Sequence, residues 1–210
     1  MAKATLARKE REKIRHKNEI LSAALKLFSE RGFHNVSMQQ IAEESGFAVG
    51  SLYNFFASKE TLFEELTRSC GERILNELLQ ILKGPGSEIA RLRKFIHHVP
   101  LFLEENTEIV KLYVSELGTR GAKISKSQNK MDSHIILDSE LQKLIDSGIH
   151  KGVFRKVDPV IATVAINSTI ETLAFENAGH FDKTAVMEMF DKVEQFFIYG
   201  LLMPEGQDNE

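Results

Sequence analysis

Apolar residues recur along most of the chain at steps of three and four, the spacing of helices with one face turned inward. In the first such stretch Ile14, Leu21, Ala24, Leu25 and Phe28 keep this phase, and Gly32 follows as a stop in a left-handed conformation. Ser37 has Gln40 three residues on, the spacing of a capping box, and opens a short helix that runs to Ser45 and stops at Gly46. A second short helix is predicted over 49–55. Ser58 caps a longer one, with Glu60 in its first turn where the helix dipole favours an acid. Lys83-Gly84-Pro85-Gly86 breaks the pattern. Beyond it, helices are predicted over 87–104, 107–118, 127–150, 159–178 and 183–203, and Asp158-Pro159 is a strong start signal for the fourth of these. No stretch alternates apolar and polar residues as a strand would. The fold class is therefore all-α, with about nine helices.

Charge changes this picture. The 210 residues carry a formal net charge of −3, which on its own speaks weakly against a nucleic-acid partner. Residues 1–31, however, hold nine Lys or Arg and four acids, a net +5, which leaves −8 on residues 32–210. A basic end on an acidic body suits a chain that touches a polyanion at one end. A solvated, frayed terminus accounts for the same counts equally well.

Candidate chemistry narrows the classes further. The single Cys70 excludes an internal disulfide framework and a Cys-ligated zinc site. No pair of histidines has the four-residue spacing of a helical metal clamp, so no metal site is expected. No nucleophile–base or carboxylate pair stands out, so neither catalytic residues nor a cofactor are expected and an enzyme is disfavoured. No apolar run approaches the roughly 18 residues that span a bilayer. The basic N-terminal stretch lacks the apolar segment of a secretory signal. The expected compartment is the cytoplasm, without a membrane partner.

Residues 37–56 carry the specific signal. Two short helices flank Ser45-Gly46-Phe47. Ala42 is small where the pair must cross, and Ile41, Leu52 and Phe55 are apolar where it must pack on the first helix. This is helix-turn-helix spacing, in which the second helix enters the major groove of DNA. The run from Val36 to Leu62, with Ile20 to Phe33 before it, resembles the TetR family of bacterial transcriptional regulators. The resemblance is close over about residues 10–70. It implies that Ser37 caps the second helix near a phosphate and that Tyr53 and Lys59 contact phosphates. It places Gln39, Ala48, Val49, Ser51 and Asn54 where they can face DNA, and Gly50 where it lets the recognition helix come close. Val49 departs from the usual Lys or polar residue and could pack on a thymine methyl. Asn54 stands where His or Tyr is common. Lys13, Arg15 and Lys17, just before or at the start of the first helix, could reach phosphates or the neighbouring minor groove. The expected organisation is a flexible basic arm over 1–12, a DNA-binding unit over 13–70, and an effector-binding and dimerisation unit over 71–210.

One helix-turn-helix buries too little surface for tight specific binding, so two copies on a palindromic double-stranded operator are expected. The last two helices are apolar over wide arcs, through Val164 in one and Val186, Phe190, Val193 and Phe197 in the other. Such arcs close a monomer core or join two chains. The resemblance implies the second, a homodimer through a four-helix bundle, with a small-molecule effector held by the preceding helices. Phe95, Phe102, Tyr113 and Phe175 are candidates to line an apolar pocket, although aromatic residues at this spacing also serve as plain core. Asn167 and Glu171 interrupt an apolar helix and need a partner, a side chain or a ligand. The stretch from His98 to Phe175, with Glu116 within it, resembles more faintly the acyl-CoA-responsive regulators of fatty-acid degradation in the same family. The function expected is a dimeric repressor released from its operator by a small apolar ligand. The alternative is a DNA-bound cell-division regulator of the same fold, acting in nucleoid occlusion through a protein partner.

Overall fold

The structure, a computed structural model, describes residues 2–112, 128–178 and 182–201. Among them there is no strand. The helices are α1 (Ala2–Arg31), a 3-10 turn at Phe33–Asn35, α2 (Met38–Ser45), α3 (Val49–Phe55), α4 (Lys59–Lys83) and α5 (Glu88–Glu105). They continue with α6, helical over 107–112, then α7 (Gln128–His150), α8 (Pro159–Ala178) and α9 (Lys183–Leu201). No helix among the described residues is long and apolar enough to cross a membrane.

The caps fall where the sequence puts them. Ser37 closes a full capping box with Gln40, and Ser58 one with Thr61. Gly32 has a positive φ of 79° but an extended ψ of 151°, so it turns the chain without the left-handed helical geometry expected of it. Helix α1 begins at Ala2, so the segment expected as a flexible arm is helical and continuous with the rest of α1. Its buried stripe is Ile20, Ala24, Leu27 and Phe28, one step from the predicted phase. Leu21 and Leu25 sit at the margin and Ile14 is exposed.

Two apolar clusters organise the chain. The first joins α1, α2, α3 and the start of α4, around Phe28, Phe33, Ile41, Leu52, Leu62 and Phe63. The rings of Phe28, Phe33 and Phe63 meet at centroid distances of 5.2 to 6.4 Å, in edge-on or tilted geometry favourable to aromatic pairs. The second cluster joins the rest of α4 to α5, α7, α8 and α9, around Leu92, Phe95, Ile145, Phe154 and Phe190. Helix α4 belongs to both, through Leu66 in the first and Leu78 in the second. Helix α6 also crosses over: Ile109 and Leu112 pack in the first cluster, and Val110 touches both. In the second cluster Gly148 lies flat against the Phe154 ring, where a Cβ would overlap it. That packing, together with the Arg155 N–H donating to the Leu201 carbonyl at 2.8 Å, pins the α7–α8 connection to the end of α9.

Candidate nucleic-acid interface

Helices α2 and α3 meet across a turn that only a glycine makes without strain. Gly46 has φ 74° and ψ 18°. Its N–H donates to the Glu43 carbonyl at 3.3 Å and that of Phe47 to the Ala42 carbonyl at 3.0 Å, the paired bonds of a Schellman ending. Ala42 is buried at the crossing. Phe47 then sets its ring 5.0 Å from that of His16 on α1, edge to face. Sequence reading overlooked His16. The signal was present, because His16 lies four residues before Ile20 on the buried side of α1.

Helix α3 is divided lengthwise. Leu52 and the capping Phe56 are buried in the first cluster. Gly50, Tyr53 and Asn54, at steps of three and four, form one exposed stripe, with Ala48 exposed at its start. Tyr53 is 52% exposed although its ring is large and apolar. Gly50 has no positive φ, and a Cβ built there would meet nothing within 4 Å. The fold therefore gives no reason for a glycine at this position. Ser37 is exposed at the α2 cap, with Gln39 exposed beside it and donating to Glu43 at 3.4 Å. Ser51 is half-buried.

Three of the residues expected to face DNA meet partners within the chain. Val49 is half-buried and packs on the first cluster, so it is not wholly free for a base methyl. The Lys17 ammonium pairs with the Glu65 carboxylate at 2.6 Å and lies 5.9 Å from the centre of the Phe56 ring. Glu65 is also gripped by Arg68 at 2.6 Å, and these two cations hold its carboxyl below the usual range, Arg68 foremost. Lys17 thus fastens α1 to α4. Lys59 donates to the Phe33 and Val36 carbonyls, both at 2.7 Å. Its ammonium thereby joins the start of α4 to the α1–α2 connection. Lys13 is exposed on α1.

Of the expected effector residues, His98 and Phe102 meet on α5, with ring centroids 6.5 Å apart. Phe95 and Phe102 are buried core side chains. His98 is half-buried on α5 and bonds to Glu77 of α4 at 2.8 Å. Its neighbour His97 faces the other way, to Glu194 of α9 at 2.5 Å. Asn167 donates to Asp138 of α7 at 2.5 Å, so its partner is a side chain. Glu171 and Phe175 are exposed on α8. Tyr113 and Glu116 lie outside the described residues.

The expected dimer residues also divide. Val186, Phe190 and Val193 are buried and pack in the chain's own second cluster, so they close the monomer core. Phe197 is half-buried against the same cluster, whereas Val164 is 53% exposed. Around Val164 the outer face of α8 presents Ile161 and Phe175, and α9 presents Phe196 and Tyr199, both 74% exposed. Neither Phe196 nor Tyr199 is among the residues that the sequence points to for the interface.

A capped α2, a glycine turn and an α3 with one buried and one exposed face, joined by α4 to a separate helical unit, define a helix-turn-helix protein with a helical C-terminal domain. Residues 20–66 match the family described as "Bacterial regulatory proteins, tetR family", and residues 89–194 match "Tetracyclin repressor-like, C-terminal domain". The chain belongs to the TetR family. It is 32% identical over 146 residues to the HTH-type transcriptional regulator RutR of Escherichia coli strain K12, covering 68% of this chain and 66% of that one, just under two thirds. It is 26% identical over 143 residues to the HTH-type transcriptional repressor KstR2 of Mycobacterium tuberculosis strain H37Rv, covering 66% of this chain and 69% of the other. Its fold superposes with a TM-score of 0.69 on the transcriptional regulator FadR of Bacillus subtilis, solved in complex with stearoyl-CoA. That match has 20% identity and covers 87% of this chain and 97% of FadR.

Proposed function

We propose that this DNA-binding transcriptional regulator acts as a homodimeric repressor on a palindromic operator, and that a small apolar ligand bound by the C-terminal helices releases it. The exposed stripe of Gly50, Tyr53 and Asn54 carries the reading, because it joins a glycine the fold does not need to polar groups suited to phosphates and base edges. The exposed apolar side chains of α8, Ile161, Val164 and Phe175, and of α9, Phe196 and Tyr199, support the dimer, since exposed apolar surface marks association. Neither RutR, KstR2 nor FadR is named for cell division, and the nucleoid-occlusion alternative gains no support.

Release needs a ligand with different affinities for the DNA-competent and incompetent states. The route for it is α4 and α6, whose residues are shared between the two clusters. The His98–Glu77 bond and the hydrogen bond from Arg73 to Asn106 tie α4 to the α5 side, and the Arg73 guanidinium lies over the Phe102 ring at 5.1 Å. A ligand that parts α5 from α7 and α8 therefore pulls on α4. An acyl chain, as in an acyl-CoA, is the ligand class favoured, by the fainter sequence resemblance and by the fold of FadR.

The test is selection of duplexes from random DNA by the full chain, followed by titration with and without acyl-CoAs. The expected result is a two-fold symmetric site whose affinity drops about 5- to 100-fold in Tyr53→Phe with Asn54→Ala, as when one good base or phosphate interaction is removed. Absence of selective binding at low salt would overturn the DNA reading. Thermal stabilisation by a cationic drug and by no acyl-CoA would overturn the ligand class.

A further inference from the structure

We propose that residues 8–15 of α1 form a rigid basic strut that binds the phosphates of duplex DNA flanking the sequence read by α3. This rests on the DNA reading above and adds a second binding surface to it. The expected arm is helix, and every residue from Arg8 to Arg15 is exposed, so this part of α1 has no packing role. Residues 8–17 hold six Lys or Arg and two Glu. Arg8, Arg11 and Arg15, at steps of three and four, line one side and form a shallow concavity with Glu12.

The direction of the strut is fixed where it leaves the core. His16 packs edge to face with Phe47, next to Ala48 at the start of α3, and Lys17 pairs with Glu65 on α4. These two adjacent anchors hold α1 beside the end of the recognition helix that enters the groove. From His16 back to Arg8 the helix advances about 12 Å at 1.5 Å per residue. That is the length of about three to four steps of a DNA strand at 3.4 Å. Arg8 pairs with Glu12 at 3.1 Å and Arg15 with Glu19 at 3.8 Å, all with exposed side chains. Exposed pairs one helical turn apart are weak and are readily exchanged for phosphate. Residues 32–210 carry a net −8, so the positive charge of the chain is concentrated at its N-terminal end.

The test uses the full chain and a duplex that it selects from random DNA, in two lengths. One is trimmed to the symmetric site, and one is extended by about six base pairs on each side. The wild type is expected to bind the extended duplex about tenfold or more tightly near 0.1 M salt. The triple variant Arg8→Gln, Arg11→Gln, Arg15→Gln is expected to bind both equally. Its dependence of log affinity on log salt should be shallower by about 0.9 for each phosphate that is no longer neutralised. A triple Arg→Lys variant should retain the preference for the extended duplex, and the melting temperature should stay unchanged throughout because these side chains are exposed. Equal binding of both lengths by the wild type, or a Gln variant that keeps the preference, would overturn the strut and leave the α3 interface standing. Failure of every protein to bind any duplex selectively would remove the DNA reading and the strut together.

Discussion

The ammonium of Lys59 lies 2.7 Å from the carbonyl oxygen of Phe33 and 4.5 Å from the centre of the same residue's ring. One side chain from the first turn of α4 thus serves the carbonyls left open where α1 gives way to α2. Lys59→Met keeps the aliphatic stem and removes the donor. It is expected to lower unfolding free energy by about 1–3 kcal/mol, the range for a hydrogen bond from a charged group. Operator affinity should fall with it, through a looser α2–α3 unit. The salt slope of binding decides the mechanism: it stays unchanged if Lys59 acts within the fold, and flattens if Lys59 neutralises a phosphate.

Gly50 separates folding from binding. A methyl group there meets nothing in the chain, and the backbone is ordinary helix. Gly50→Ala should therefore raise stability by about 0.5–1 kcal/mol, the usual difference within a helix. The same methyl stands between α3 and the duplex, so operator affinity should drop. Denaturant unfolding and fluorescence anisotropy on one preparation check both signs. A variant that is both more stable and equally tight in binding would show that α3 stays clear of the DNA at this position.

What could be seen in the sequence was local. The caps at Ser37, Ser58 and Asp158 follow from side chains that accept from a backbone N–H two or three residues on, and the turn at Gly46 from a left-handed backbone that glycine adopts freely, so local residue type and spacing reveal them. The roles of Lys17 and Lys59 were hidden because their partners lie 48 and 26 residues off in sequence. The segment expected as an arm is helical in the structure. Residues 2–12 are rich in Ala, Leu, Lys, Arg and Glu, all good helix formers, and no Gly or Pro stops α1 before Arg31. Helix α8 posed a different difficulty. It is apolar nearly all round, so periodicity marks no single inward face, and only packing shows that Ile166 and Ile170 turn inward while Ile161 and Val164 turn outward. On α9 the sequence did not separate residues that pack within the chain, Val186, Phe190 and Val193, from the exposed Phe196 and Tyr199.

Glu88 gives the fold an acid-sensitive joint. Its buried carboxylate accepts from Lys151 at 2.6 Å, from Ser147 at 2.9 Å and from Arg91 at 3.2 Å, tying the start of α5 to the end of α7. The Lys151 bond is the largest cause that draws its pKa down to about 2 from the ordinary 4.5. A carboxyl whose folded pKa is depressed contributes its stability fully above the unfolded value and loses it as pH falls toward the folded one. The destabilisation caused by Glu88→Gln should therefore be constant from about pH 8 to pH 6 and shrink between pH 4.5 and pH 2. Thermal melts of both proteins across that range check the direction. A gap that widens on acidification would contradict the assignment.

The outward and inward apolar residues of α8 and α9 predict opposite failures. Ile161 is 68% exposed, Val164 53% and Phe196 74%, so charges at these positions meet no resistance within one chain. Ile161→Glu with Val164→Glu should leave the monomer folded, yet bury like charges against each other across a two-fold interface, where the same patch faces itself. The expected result in sedimentation is a folded monomer with weak operator binding, because one half-site no longer recruits the other. Phe190 is fully buried in the second cluster, and Phe190→Ala should cost about 3–5 kcal/mol of stability through transfer and cavity terms. Its loss of dimer should follow unfolding rather than precede it. A double-Glu variant that remains dimeric would move the interface away from this face of α8.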